Sequence, residues 1–255
     1  MNLVKKAGAT LKMVEPPADA QNRGAAWNQQ IMDAIDGNTR AVALANVHWA
    51  DGTRFDLKAI REKAHANNAL LIVDGTQSVG ALPFDVQEIK PDALICATYT
   101  WMLGAYSMGL AYYGEYFDDG EPIEQNWINR LNSEDFRGLV KYRDEYREKA
   151  NRYAVGEYGN FIHIPILQSS LDLIVNWGVE NIQHYCHSIS KSVFEELQNH
   201  GCTIENEKWR GNHLVGIRLP ENVDLEKLRI ALEKDNVFVS LRGSAVRVSM
   251  HLYNT

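Results

Sequence analysis

An α/β protein, with a mostly parallel sheet followed by a small α+β domain, is what this sequence predicts, and three observations carry that reading. Short continuous apolar runs rich in β-branched residues, such as Leu70 to Val73 and Ala93 to Ala97, are the pattern of strands covered on both faces. They alternate with amphipathic helical stretches of crossover length, which implies right-handed strand–helix–strand units. Past Arg130 the order changes to two helices and then alternating strands and a helix, so a domain boundary is placed there, with residues 1–130 as the larger α/β domain and 131–255 as the smaller one.

In chain order, Met1 to Gly8 reads as the tail of a helix, and Thr10 to Glu15 as a short strand before Pro16-Pro17. Asn28 to Asp36 has Ile31, Met32 and Ile35 at helical spacing, with Gly37 as the stop. Ala41 to Val47 is a buried strand, followed by the loop His48-Trp49-Ala50-Asp51-Gly52. Asp56 is placed to cap the next helix, in which Leu57, Ile60 and Ala64 form the apolar stripe. The runs at Leu70 and Ala93 then give two further strands, and Gly109 to Tyr113 another. Gly114 to Asn129 is acidic and turn-rich. Tyr142 to Asn151 is expected as a charged helix, Ile164 to Trp177 as an apolar one ended by Gly178, and Val179 to His200 as a long amphipathic one. The remainder alternates: strand His213 to Leu219, an Asp224-capped helix to Asp235, and strands Val237 to Leu241 and Ala245 to Met250. The opening inside a helix, and the close at Asn254-Thr255 where a cap for a further helix would stand, suggest an incomplete domain.

The composition narrows the function. A net charge of −7 over 255 residues, with basic residues scattered among acids, argues against a nucleic-acid partner. No apolar run reaches the roughly 18 residues of a bilayer span, and the start lacks the apolar core of a signal peptide, so no membrane and a cytoplasmic location are expected. Cys96, Cys186 and Cys202 stand far apart in no metal-ligand spacing. His184 and His187 share a helical face, but no carboxylate at matching spacing makes a metal site of them.

The chemistry gathers at two strand ends. The first strand of the pair stops at Asp74-Gly75-Thr76-Gln77 and the second at Thr98-Tyr99-Thr100-Trp101. Ligands of open α/β sheets sit at the carboxyl ends of parallel strands, so both clusters are expected to face one crevice. Burial there would raise the pKa of Asp74 unless a cation meets it, and a protonated heteroaromatic nitrogen would serve. Against this stands the plainer possibility that Asp74-Gly75 is only a turn dipeptide.

Four blocks in order make the sequence resemble the class V aminotransferase family of fold-type I pyridoxal-phosphate enzymes. They are Trp49-Ala50-Asp51-Gly52, Asp74-Gly75-Thr76-Gln77-Ser78-Val79-Gly80-Ala81, Tyr99-Thr100-Trp101-Met102-Leu103-Gly104, and Arg242-Gly243 through Arg247 to Tyr253-Asn254-Thr255. Val155-Gly156-Glu157 and Asn160-Phe161 are similar to its isopenicillin N epimerase-like branch; cysteine desulfurases and kynureninases are other members. The resemblance implies part of the fold-type I large domain and an activity on amino acids or amines, of epimerase, lyase or transferase type. It implies that Asp74 holds the pyridinium nitrogen, keeping the ring an electron sink, that Gln77 lies near the ring's phenolic oxygen, and that Thr98 and Tyr99 stand by the cofactor's phosphate. By the same resemblance Arg247 pairs with a substrate carboxylate and Asn160 is a second substrate-binding residue, and Asn160 and Glu157 lie near the interface of a homodimer.

At the centre the sequence departs. Where the family has the lysine that joins the cofactor as a Schiff base, this chain has Thr100, and a hydroxyl cannot form an imine. Lys90 precedes the Ala93 strand, which puts it roughly 17 Å away at about 3.3 Å per residue. Ala105 stands where relatives have Pro, no cysteine before Arg247 is placed to carry a persulfide, and the family's phosphate-gripping loop is missing. Two or three polar contacts of about 1.5 to 3 kcal/mol each must outweigh an association cost of about 4 kcal/mol or more, so weak or absent cofactor binding is expected. The activity is therefore expected to be impaired or lost, and two other readings stand beside it: a non-catalytic binding or dimerisation remnant of the fold, and a gene fragment.

Overall fold

Residues 2–18 and 22–255 are described by the structure, a computed structural model. Helix α1 (Asn2–Lys6) leads into an extended segment, then α2 (Arg23–Ala34) and strand β1 (Ala41–Ala45). Helix α3 (Leu57–Ala66) connects β1 to β2 (Leu70–Asp74), the short α4 (Val86–Ile89) connects β2 to β3 (Ala93–Ala97), and β4 (Gly109–Tyr113) follows. The strands lie in the order β1-β2-β3-β4, the first three parallel and β4 antiparallel to β3. This is the expected mostly parallel sheet. The aspartates predicted to start helices do so: Asp56 accepts from Ala59 N, and Asp224 from Glu226 N and Lys227 N.

Register explains which face is covered. Val42 stands opposite Leu71, and Leu44 opposite Val73, which stands opposite Leu94. These side chains share one face and form a core with Trp27 and Ile31 of α2, Leu57 and Ile60 of α3, and Leu167 and Ile174 of α5 (His163–Trp177). Strands added in one direction by right-handed crossovers carry their helices on one side. The opposite face is different: Ala41, Ala43, Ile95 and Ala111 all point to it and all are exposed, Ile95 at 42%.

Helix α6 (Val179–Asn199) begins the second half, followed by β5 (Thr203–Ile204), β6 (Leu214–Arg218), α7 (Leu225–Lys234), β7 (Ser240–Arg242) and β8 (Ala245–Ser249). These strands form an antiparallel sheet in the order β5-β6-β8-β7. Its core takes Ile182, Cys186 and Phe194 from α6, and also Val47, Leu82 and Trp101 from loops of the first sheet. The two sheets are therefore joined by a common apolar seam. Among the described residues, no helix is long and apolar enough to cross a membrane.

Three expectations fail. Thr10 to Glu15 forms no strand; it is an extended segment held through Val14, whose carbonyl accepts from Trp27 Nε1 at 2.9 Å. Tyr142 to Asn151 forms no α-helix. It has no apolar stripe to bury, Tyr142 being 95% exposed, and a short helix without packing is marginal in water. Only a 3₁₀ turn at Lys149–Tyr153 forms there, with a bridge between Arg130 and Tyr146. The strand expected at Val237 to Leu241 forms later, at Ser240–Arg242, because Val237 N is taken by Leu232 O at the end of α7.

Candidate functional site

The site is built from the turns that end β2 and β3. Asp74 Oδ1 accepts from Thr76 N at 2.9 Å, bending the chain immediately after β2. Gly75 is required in that bend, since a Cβ would lie 2.6 Å from Cys96 Sγ and 2.8 Å from Val79 Cγ2. Thr76 then ties the two turns together: its Oγ1 accepts from Ala97 N at 3.0 Å, and its carbonyl accepts from Thr100 Oγ1 at 2.6 Å. Gln77 Oε1 accepts from Trp101 Nε1 at 3.0 Å. The two polar clusters thus meet at one rim, as their strand-end positions imply.

The side chain of Asp74 does not lie in a buried crevice, which corrects the expectation of a desolvated carboxylate. It stands opposite Ile95 in register and falls on the uncovered face of the sheet, where it is exposed. No basic side chain pairs with it among the described residues. Beneath it Cys96 is buried, and burial together with the charge of Asp74 pushes its thiol up to about 11, so it is no nucleophile at neutral pH.

The other predicted residues have definite places. Thr98 is fully buried, and its hydroxyl donates to Met108 O at 3.1 Å, bracing the loop back to β4. Tyr99 is 43% exposed and stacks on Tyr106 with ring centroids 4.3 Å apart. Arg247, on β8, reaches across to donate from Nη1 to Trp49 O at 2.9 Å, in the loop after β1. Among the described residues its buried Nε has no partner, Arg242 lies over the Trp49 ring at 5.9 Å, and burial followed by the charge of Arg242 lowers the pKa of Arg247. Arg247 is thus brought to the carboxyl end of the sheet. Asn160 is not joined to this rim: its Oδ1 accepts from Ile162 N and His163 N, capping the start of α5.

Sequence reasoning missed the polar seam beside the rim. Asp51, with a side chain 6% exposed, receives Arg23 and Arg218 on Oδ2 and faces His48 Nδ1 at 2.9 Å through Oδ1. Hydrogen bonds from His48 and the Arg23 charge hold its carboxyl well below the usual range although burial opposes them. Gly52 lets this loop press on the second sheet: its φ is +72°, and a Cβ would lie 2.1 Å from Leu214 O. His213, fully buried, directs Nε2 at Gln77 O, 2.7 Å away, and Nδ1 at Gln183 Nε2, 3.0 Å away. A carbonyl only accepts, so Nε2 carries the proton and Nδ1 accepts from the Gln183 amide. The sole sequence signal here was the Asp51-Gly52 dipeptide; partners 28 and 167 positions distant leave no local pattern.

The donor set fits one part of the implied cofactor and not another. Asp74 is an exposed carboxylate with room for a cationic ring nitrogen. The covalent anchor does not fit, because Thr100 supplies a hydroxyl already donated to a backbone carbonyl, while Lys90 caps α4 at the opposite end of β3. Among the described residues, no cluster of three metal-ligating side chains forms; His187 faces Glu207 at 3.3 Å.

Comparison with known proteins gives a consistent picture. The family model described as Aminotransferase class-V matches residues 1–255. An uncharacterized aminotransferase, YcbU of Bacillus subtilis (strain 168), is 26% identical over 228 residues, covering 89% of this chain and 59% of the relative. A probable cysteine desulfurase of Halalkalibacterium halodurans is 25% identical over 276 residues, covering 99% of this chain and 63% of the relative. Among solved structures, the cysteine desulfurase CsdA of Escherichia coli superposes with a TM-score of 0.78 at 16% identity, over 100% of this chain and 64% of that one. The apo cysteine desulfurase of Thermococcus onnurineus NA1 gives a TM-score of 0.75 at 20% identity, again over 100% of this chain and 64% of the other. The first three curated relatives are matched over 51% to 59% of their own length.

Proposed function

Because the chain belongs to the class-V aminotransferase family, we propose that it derives from a catalyst acting on amino acids or amines and that, as this 255-residue chain, it does not carry out that chemistry. Bound pyridoxal phosphate would supply an electron sink for bonds at the substrate's α-carbon. Of the residues needed to use it, Asp74 keeps the charge that holds a ring nitrogen, and Arg247 keeps a guanidinium at the carboxyl end of the sheet for a substrate carboxylate. Gln77 and Tyr99 enter the proposal as cofactor contacts, although the Gln77 side-chain oxygen is engaged by Trp101 and the Tyr99 ring by Tyr106.

The observation that carries this reading is the 2.6 Å bond from Thr100 Oγ1 to Thr76 O. It makes Thr100 a brace between the β2 and β3 turns, in the place where chemistry on an amine requires a free amino group. Asn160 enters the proposal as a residue near a homodimer interface, supported by its neighbours Phe161 and Ile162, which are 94% and 71% exposed.

Titration with pyridoxal phosphate, followed by absorption after dialysis, tests the proposal. The wild-type chain is expected to release all of the compound, and Thr100→Lys to retain a fraction with the shifted band of covalent attachment. A wild-type chain that kept the shifted band would end the non-catalytic reading. Light scattering of the purified chain tests the dimer.

A further inference from the structure

The two edges of the first sheet differ. At one edge, Tyr153 of the 3₁₀ turn Lys149–Tyr153 packs on Tyr113 of β4, with ring centroids 4.5 Å apart. At the other stands β1, Ala41-Val42-Ala43-Leu44-Ala45, and among the described residues only β2 pairs with it. Arg40 O accepts from Leu70 N, and Asn46 N donates to Asp74 O. Main-chain groups alternate in direction along a strand, so Val42 and Leu44 also face β2, while Ala41, Ala43 and Ala45 turn their N–H and C=O groups outward. Among the described residues nothing meets those outward groups, and Ala41 and Ala43 are exposed.

An open edge is ordinarily blunted by a charge, a proline, a bulge or a covering loop. β1 has no charge, proline or bulge: its five residues are all apolar, and it pairs with β2 in unbroken register. Apolar side chains on both faces are the pattern of an interior strand, not of an edge. Val42 and Leu44 pack against the main core, and Val14, in the extended run Thr10 to Glu15, packs against the same core. Apart from the Val14 carbonyl, the main chain of that run has no partner among the described residues, and Leu11 and Met13 are exposed. Two extended runs in this half of the molecule therefore leave main-chain groups unpaired.

The geometry points to the outer edge of β1 as a docking edge for an extended apolar segment of a different polypeptide, added to the four-stranded sheet as a further strand. The outward groups of Ala41, Ala43 and Ala45 supply its main-chain hydrogen bonds, and its alternate side chains continue the row of Val42 and Leu44 on the covered face. On the other face the alanine methyls leave room, so β-branched or aromatic residues suit the positions between. A second copy of this chain is a poorer occupant. Pairing β1 with β1 about a two-fold axis would set two uncovered sheet faces side by side and enlarge the apolar surface left in water. The solved neighbours agree with a different polypeptide: each is matched over only 64% of its length, so each holds part of its fold in polypeptide that this chain does not contain. The inference does not depend on the fate of position 100.

Residue-resolved hydrogen exchange of the chain, alone and with a strand-forming peptide, tests it. The probe is a lysine-flanked, fluorescently labelled peptide with the sequence Ala69 to Gly75, since β2 already fits β1 from its inner side. In the chain alone, the amides of Ala41, Ala43 and Ala45 are expected to exchange fast and those of Val42 and Leu44 slowly. Peptide should bind saturably by fluorescence anisotropy and slow the three alanine amides at least about tenfold, while the same peptide with alternate prolines should do neither. Ala43→Pro deletes the central outward donor without touching the bonds to β2, a placement that edge strands tolerate, and should weaken binding about tenfold. Ala43→Lys, which keeps every main-chain donor, should weaken it less. No saturable binding, or equal affinity in both variants, overturns the inference. So does slow exchange of the three alanine amides without peptide: if it is independent of protein concentration the chain covers its own edge, and if it grows with concentration the occupant is a second copy.

Discussion

The rim at the ends of β2 and β3 and the seam around Asp51 and His213 are both polar, both made of loops, and adjacent, yet they are built on opposite principles. At the rim, the carboxylate of Asp74 is exposed and, among the described residues, engages only its own turn. At the seam, Asp51 and His213 are buried; Asp51 Oδ2 and both ring nitrogens of His213 have partners from distant elements, while Asp51 Oδ1 braces its own loop through His48. The difference locates the constraint. The seam, with the apolar contacts beside it, ties the two sheets together, whereas the exposed carboxylate of Asp74 can change with little effect on the fold.

Substitutions can break or sharpen this contrast, and the largest effect is expected at Asp51. Asp51→Ala leaves two guanidiniums buried against each other and should cost roughly 3 to 5 kcal/mol, read as a lower urea midpoint. An unchanged midpoint would mean that the seam is no more constrained than the rim. Acid should act next. Burial holds His213 neutral and lowers its pKa from 6.5 to about 4, and protonation would set Nδ1–H against the Gln183 donor. The folded pKa lies below the unfolded one, so the stabilisation is fully present above pH 6.5 and is lost as pH falls from there toward 4, by about 3 kcal/mol at 1.36 kcal/mol per unit. A series of denaturation curves between pH 7 and 4 should show that slope, and His213→Gln should flatten it.

At the rim the effects should be small. Thr100→Val removes one hydroxyl donor and should cost about 1 kcal/mol in chemical denaturation. Asp74→Asn should change stability by no more than about 0.5 kcal/mol, as surface substitutions usually do. If Asp74→Asn proved as costly as Asp51→Ala, the contrast between the two regions would be void.

Much of the fold was legible in the sequence, and the reasons are specific. Leu70 to Val73 and Ala93 to Ala97 are unbroken apolar runs bounded by polar turns, and both are strands. Asp56 and Asp224 stand immediately before amphipathic stretches and cap them as expected. Thr10 to Glu15 misled because an extended segment and a strand differ only in whether a neighbour pairs with them, which no local pattern records. Tyr142 to Asn151 carries helix-favouring charged residues but no apolar face to bury, so its local pattern points to a helix that packing does not support. Of the site, the strand-end residues were visible because turn chemistry is local. Asp51 with Arg218, and His213 with Gln77, were not visible, since their partners become neighbours only when the second sheet docks.

The uncovered face of the first sheet has a calorimetric consequence. Unfolding raises the heat capacity in proportion to the apolar surface newly wetted, on average about 12 to 15 cal/mol/K per residue. Ile95, 42% exposed, and the exposed alanines 41, 43 and 111 are partly in water in the native state, so unfolding adds less from them than from residues of a covered face. Scanning calorimetry should therefore return a heat-capacity increment below that average for 255 residues, and a flatter stability curve with temperature.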